Sequence, residues 1–476
     1  MAKQGAGWSR AAARSLMARR LAMQWVAPPL PAPRAGDDAE ARTEVVAGAE
    51  PIEAGAAPIG AGAASVGAGA ARIRRVVGRM LAVQAQDFGQ AVWALGVRSA
   101  GSTLRDVEAA LDAGSVVRSW PMRGTLHFST PDNLRLMLSI TAARTIRSIL
   151  PRYRELGLTE EIHARARELA LAELGGGGRA SREEFFALLA AEGIDPGGQR
   201  GTHVIGRLAH DGVVCWGPTA AGRQKLVLFD EWTPPGPGAA VSQGVADAAA
   251  DDPRRDAALG EFVLKYLAGH GPATLKDFCW WSKVTVADAQ RGLAAIRDRL
   301  SLEHINNSEY WTVAARGEAA DEAPAAEAVD RAGSEAGGRA GREGDGQTGS
   351  EAGGGAVAGA AGVDVAEGTA GKAAAFLVLP GFDEFLLGYP ERVPAVAAEY
   401  AQRIVPGNNG VFLPMLVAHG TVVGTWRRRI TPAGVTLTTV PFEPLSANAR
   451  AGFARALRSY ARFLDLPLTL KDGDDG

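Results

Sequence analysis

Cysteine is nearly missing from this sequence of 476 residues, where Cys215 and Cys279 are the only two. Two thiols cannot build a disulfide scaffold or a four-ligand zinc site. Both stand among apolar neighbours, so the role expected of each is that of a small buried hydrophobe. Histidine is scarce as well: the seven show no His-x-x-x-His or His-x-Glu spacing, and neither a metal nor another cofactor is expected. An excess of one charge is absent, since 51 Lys and Arg oppose 53 Asp and Glu, which excludes a polybasic nucleic-acid coat but not a local basic groove. Long apolar runs are absent too. The stretch 21–29 is short and runs into prolines, and the uncharged stretch 54–71 is mostly Gly and Ala. Neither suits a signal peptide or a membrane span, and a cytoplasmic protein without membrane contact is expected. Enzyme signatures are missing as well. The glycines at 175–178 lack the Gly-Lys-Ser/Thr ending of a phosphate loop, and no Gly-x-Ser-x-Gly elbow occurs.

Glycine and proline, by contrast, are abundant (60 and 26 residues). They concentrate in residues 29–70 and 314–372, which are expected to be disordered low-complexity linkers. The second carries five Lys and Arg against eleven Asp and Glu, a net charge of −6. Without it and the acidic tail from Lys471 onward, the formal charge of −2 becomes +6, so the remaining chain is mildly basic.

The remaining sequence repeats one order of elements: helix, helix, β-hairpin. In its third occurrence Thr274 caps a helix over 275–281, Thr285 or Val286 opens a second helix running to 300, and strands 301–305 and 310–313 flank Asn306-Asn307-Ser308. In the second, Ser181 caps a helix to 192, a helix spans 202–211, and strands follow at 213–216 and 225–229. The first has helices over 72–88 and 104–113, then strands 116–120 and 124–129. The fold class expected is α+β: three tandem winged-helix modules (8–28 with 71–150, 151–233 and 253–313) followed by a β-rich C-terminal segment (373–470). That segment should hold strands near 376–379, 411–417, 422–426 and 435–440 and a helix over 447–464.

Two polar clusters interrupt apolar surroundings. Gln84 and Gln86 flank Ala85 near the end of the 72–88 helix; i and i+2 do not share a helix face, but across a helix end they converge. Capping or surface glutamines are the plainer alternative. Asp87 is expected to be the helix's C-terminal neighbour. The second cluster, Arg118, Arg123 and His127, punctuates a strand–turn–strand; Arg beside Gly124 suits phosphate contact, and a solvated hairpin edge is the alternative. Arg427, Arg428 and Arg429 form the densest basic cluster of the C-terminal segment.

Five strings carry a resemblance: Gln84-Ala85-Gln86, SWPMRGTLH (119–127), HGPATLKDFCWW (270–281), LPGFDEFLLGY (379–389) and NGVFLPMLVAHGTVVGTWR (409–427). In these the chain resembles the AlkZ-type winged-helix DNA glycosylases over 72–313 and 373–465, and more loosely over 8–28. The resemblance implies a monofunctional DNA glycosylase that acts on N7-alkylated purines or unhooks interstrand crosslinks, working as a monomer on double-stranded DNA. A non-catalytic winged-helix DNA-binding protein or regulator is the alternative. It further implies that Gln84 and Gln86 are catalytic, with Ala85 smaller than the residue common at that position. Arg118, Arg123, His127, Arg427 and Arg428 are the candidate DNA contacts, and Asp383 and Glu384 are expected to make structural hydrogen bonds to the first module.

Overall fold

The computed structural model describes residues 8–25, 67–220, 223–236, 252–314 and 375–472. The linkers expected at 29–70 and 314–372 lie almost wholly outside these residues. The exceptions are Gly67–Ala70, which cap and open a helix rather than end a linker, and Ala314, whose amide donates to the Arg299 carbonyl.

Hydroxyl residues set the helix starts, because a side-chain oxygen accepts an amide of the first turn that has no partner within the helix. Helix α1 (Arg10–Met23) starts at Ser9, and α2 (Ala68–Met80) follows. A two-residue strand β1 (Val83–Gln84) and helix α3 (Phe88–Gly96) come next. Thr103 closes a capping box with Asp106 at α4 (Leu104–Asp112), ahead of strands β2 (Val117–Met122) and β3 (Thr125–Ser129). Helix α5 (Pro131–Glu155) starts on Pro131, and α6 (Glu160–Leu174) follows Thr159. The module boundary expected at 150/151 falls inside α5, which runs on through Pro151 to Glu155.

Ser181 and Glu184 form the capping box of α7 (Arg182–Ala191); α8 (Arg200–His210), strands β4 (Val214–Ala220) and β5 (Arg223–Leu228), and the short α9 (Phe229–Trp232) complete this part. Then come α10 (Pro253–His270), α11 (Leu275–Ser282), α12 (Val286–Ala295) and the hairpin β6 (Leu300–Ile305) with β7 (Ser308–Val313). Asn306 and Asn307 both take positive φ (49° and 60°), the backbone of a tight two-residue hairpin turn. The last segment holds β8 (Phe376–Leu379), α13 (Glu384–Leu387), α14 (Ala401–Ile404), β9 (Met415–Ala418), β10 (Thr421–Thr431), β11 (Gly434–Pro441), α15 (Ala447–Leu464) and β12 (Leu468–Asp472).

The architecture mixes helix and sheet, but the wings expected of the first two modules are not separate. They join in one antiparallel sheet, ordered β1-β3-β2-β4-β5, with β2 and β4 meeting at Arg118 and Trp216. The C-terminal strands form a second sheet, β12-β11-β10-β9-β8, in which only β11 and β12 run parallel. One apolar core joins this segment to the start of the chain: Ile73, Val77, Trp93 and Phe128 pack with Leu379, Leu416, Trp426 and Tyr460. The indoles of Trp93 and Trp426 donate to the Val378 and Leu379 carbonyls at 2.7 and 2.9 Å. Among the described residues no helix is long and apolar enough to cross a membrane, and no group of three His, Cys, Asp or Glu is placed to hold a metal.

Candidate active site

The helix expected over 72–88 stops at Met80. Leu81 turns into the left-handed region (φ 64°), and the chain continues extended. Val83 pairs with Phe128 and Gln84 with His127, and the Ala85 amide donates to the Leu126 carbonyl at 2.7 Å. Asp87 is therefore not a helix C-terminal neighbour; it is the N-cap of α3, accepting the Gln90 amide. Gln84 closes the two-residue strand, and Gln86 lies two residues on, in the bend that leads to α3. Gln84 is half-buried, Ala85 buried and Gln86 exposed. The two glutamines differ in their bonding. Gln86 Oε1 accepts the Leu126 amide at 3.1 Å, whereas among the described residues the Gln84 side chain has no hydrogen bond.

Arg118 holds the tripeptide from one side. Its Nε donates to the Ala85 carbonyl at 2.9 Å, Nη2 to the Gln86 carbonyl at 3.3 Å and Nη1 to Gln224 Oε1 at 2.8 Å. Burial first, then the like charge of Arg182, lowers its guanidinium to about 10.

Glu384, at the start of α13, holds it from the other side. Its carboxylate is 1% exposed; Oε1 accepts the Gln84 amide at 3.3 Å, and Oε2 accepts the Trp281 indole N–H at 2.8 Å. His270 Nε2 lies 3.4 Å from Oε2, and Arg123 Nη2 lies 3.9 Å from Oε1. Burial alone pushes this carboxyl up, but the His270 hydrogen bond and the Arg123 charge outweigh it and hold it at about 2.

Arg123 and His127 were expected at a phosphate, yet both face inward. His127 is fully buried; its Nδ1 donates to the Thr125 carbonyl at 2.9 Å, which leaves Nε2 to accept from Arg123 Nη2 at 2.9 Å. Burial, then the Arg123 charge, pushes the imidazole down to about 3, so it is neutral. Arg123 itself is only 10% exposed, because its charge is turned onto Glu384. Arg428 is likewise occupied, with Nη1 donating to the Gly89 carbonyl and to the Tyr460 hydroxyl, both at 2.7 Å. Alternation along β10 turns the neighbouring Arg427 and Arg429 outward.

Asp383 bonds the first module as expected, pairing with Arg98 through two 2.8 Å contacts. Sequence reasoning gave no site role to Trp281 or His270, although both stand in a quoted string; two adjacent acids in the apolar LPGFDEFLLGY string were the available signal. A cavity of about 220 Å³ bounded by Trp93, Phe376, Arg462 and Phe463 contains none of these groups.

The family model described as "DNA glycosylase AlkZ-like" matches residues 77–332 and 345–463. A curated relative, the "Interstrand DNA cross-link repair glycosylase" of Streptomyces sahachiroi, is 29% identical over 213 residues. Those residues are 43% of this chain and 53% of the relative, so the chain matches about half the relative's length. The solved structure of the Streptomyces sahachiroi DNA glycosylase AlkZ is similar with a TM-score of 0.57 at 20% identity, covering 98% of this chain and 100% of that one. That likeness supports the fold, and the family match covers most of the sequence. The chain belongs to the AlkZ-like DNA glycosylase family.

Proposed function

We propose that the protein is a monofunctional DNA glycosylase that hydrolyses the N-glycosidic bond of N7-alkylated purines in double-stranded DNA, including bases tied into interstrand crosslinks. The observation that supports it best is the Gln84–Gln86 pair, half-buried and exposed, on a segment whose backbone is held by Arg118 and Glu384. Alkylation at N7 gives the purine a positive charge, so the base departs without being protonated by the enzyme. What the protein must supply is a water directed at C1′ and dipoles that face the positive charge developing on the sugar. Amide oxygens do both. The Gln84 side chain, without a hydrogen bond among the described residues, suits water placement, and Gln86, already tied to Leu126, suits a fixed dipole. Arg427 and Arg429, exposed on β10, suit the phosphate contacts.

The test is incubation with duplex DNA carrying N7-methylguanine or a nitrogen-mustard crosslink, read as abasic product. Gln84→Ala/Gln86→Ala should lower the single-turnover rate by about 100-fold or more, the scale of a lost general-base or water-positioning group. Gln84→Ala alone should account for more of that loss than Gln86→Ala. No product from the wild type, or undiminished product from the double variant, refutes the reading.

A further inference from the structure

Strand β1 is the edge of its sheet, paired on one side only, with β3. The Val83 and Ala85 positions face β3, so the Gln84 amide points away from the sheet, where an edge strand ordinarily meets water. Here it meets a carboxylate from a residue 300 positions later in the chain. A buried charge is costly to keep, and Glu384 is 1% exposed, yet a neutral acceptor or a water would satisfy one amide equally well. Trp281 fixes the other carboxylate oxygen, and Arg123 and His270 supply the surrounding donors. The carboxylate therefore has one orientation, and in that orientation it fixes the height of the Gln84 backbone.

We propose that Glu384 is a positioning residue for excision: it accepts the Gln84 amide and thereby sets the direction in which the Gln84 side chain projects, without touching the substrate itself. The kinetic part rests on the glycosylase reading; the structural part does not. Glu384→Gln offers one acceptor oxygen to two donors that approach from opposite sides, so either Gln84 or Trp281 loses its partner. Adding Trp281→Phe removes the shorter of the two contacts on that side, leaving His270 at 3.4 Å, and lets the remaining oxygen turn to Gln84.

The experiment compares wild type, Glu384→Gln, Trp281→Phe, the double variant and Arg98→Met, which breaks a nearby buried ion pair without reaching Gln84. Single-turnover excision and DNA affinity are read at a temperature where all are folded. Glu384→Gln should slow excision by about 10- to 100-fold, the scale of a displacement approaching 1 Å, with affinity unchanged. The double variant should return to within about threefold of Trp281→Phe, because the hydrogen bond to the Gln84 amide is restored. Hydrogen–deuterium exchange over residues 83–86 should rise in Glu384→Gln and not in Arg98→Met. Equal slowing by Arg98→Met, a double variant worse than Glu384→Gln, or unchanged exchange in Glu384→Gln overturns the proposal. An inactive wild type whose exchange still responds to Glu384→Gln refutes the glycosylase reading and supports the anchoring of the strand.

Discussion

Replacing Arg98 by methionine isolates the contact that ties the C-terminal segment to the start of the chain. The guanidinium makes four hydrogen bonds in a site 1% exposed: two of 2.8 Å to Asp383, one of 2.9 Å to the Ala94 carbonyl and one of 2.9 Å to Gln24 Oε1. Methionine fills much of the same volume, so a cavity contributes little. The cost comes from what is left behind. Among the described residues the Asp383 carboxylate keeps the Phe385 amide at 2.9 Å alone, and Gln24 Oε1 loses its Arg98 donor. Breaking one side of a buried ion pair costs about 3–5 kcal/mol, because the surviving charge stays desolvated. Urea unfolding followed by circular dichroism and tryptophan emission should show that loss as a lower midpoint with an unchanged slope. Adding Asp383→Asn removes the stranded charge while keeping a capping oxygen for Phe385, and should recover about 1–3 kcal/mol of it. A loss below about 1 kcal/mol in Arg98→Met, or a double variant no more stable than the single, would show that water already reaches the pair and refute the reasoning.

The β10 arginines should separate by role. Arg427→Ala or Arg429→Ala should weaken DNA binding regardless of sequence and reduce the salt slope by about one. Arg428→Ala should instead lower stability with little change of slope, since its donors are bound to Gly89 and Tyr460; equal slopes in all three variants would contradict the division. Acid sensitivity should begin early. Burial first of all holds His127 at about 3 and His163 and His210 at about 4, below the ordinary 6.5. Each stays neutral in the folded protein while the unfolded chain takes a proton, so stability is full above pH 6.5 and declines as pH falls below it. Glu384, at about 2 rather than 4.5, adds a contribution present above pH 4.5 and lost as pH falls towards 2. A urea midpoint that stays constant from about pH 7 to pH 5 would contradict the first part.

Where a signal was local, the sequence carried it. Ser181 and Thr274 cap the helices they were expected to cap, and β8 and α15 have the expected bounds. The Gln84–Gln86 segment misled because Arg79 to Phe88 contains no Gly or Pro, so the periodicity of α2 extended through it. The breaks were Leu81 in a left-handed turn, a conformation no propensity assigns to leucine, and Asp87 starting α3 with Gln90 three residues on. The helix expected to reach 300 ended at Ala295, where a single 3-10 turn leads into β6. The shared sheet was illegible for another reason: β2 and β4 are joined by a tertiary pairing at Arg118 and Trp216, and neither strand's sequence names its partner.

Charge was legible as a total but not as an allocation. Arg118, Arg123 and Arg428 were chosen for proximity to the glutamines or for density of charge, and all three are spent inside the protein: on the Ala85 and Gln86 carbonyls, on Glu384 and His127, and on Gly89 and Tyr460. Arg118 holds the carbonyls of the segment itself, Arg428 the Gly89 carbonyl three residues beyond it, and Arg123 faces the carboxylate that accepts the Gln84 amide. A guanidinium that left its carbonyl to bind phosphate would free the strand it holds, so positioning the glutamines and gripping DNA compete for the same side chains. Under the proposed function the conflict is avoided if different residues do the two tasks, and alternation along β10 suits such a division, with Arg428 turned inward between outward-facing Arg427 and Arg429.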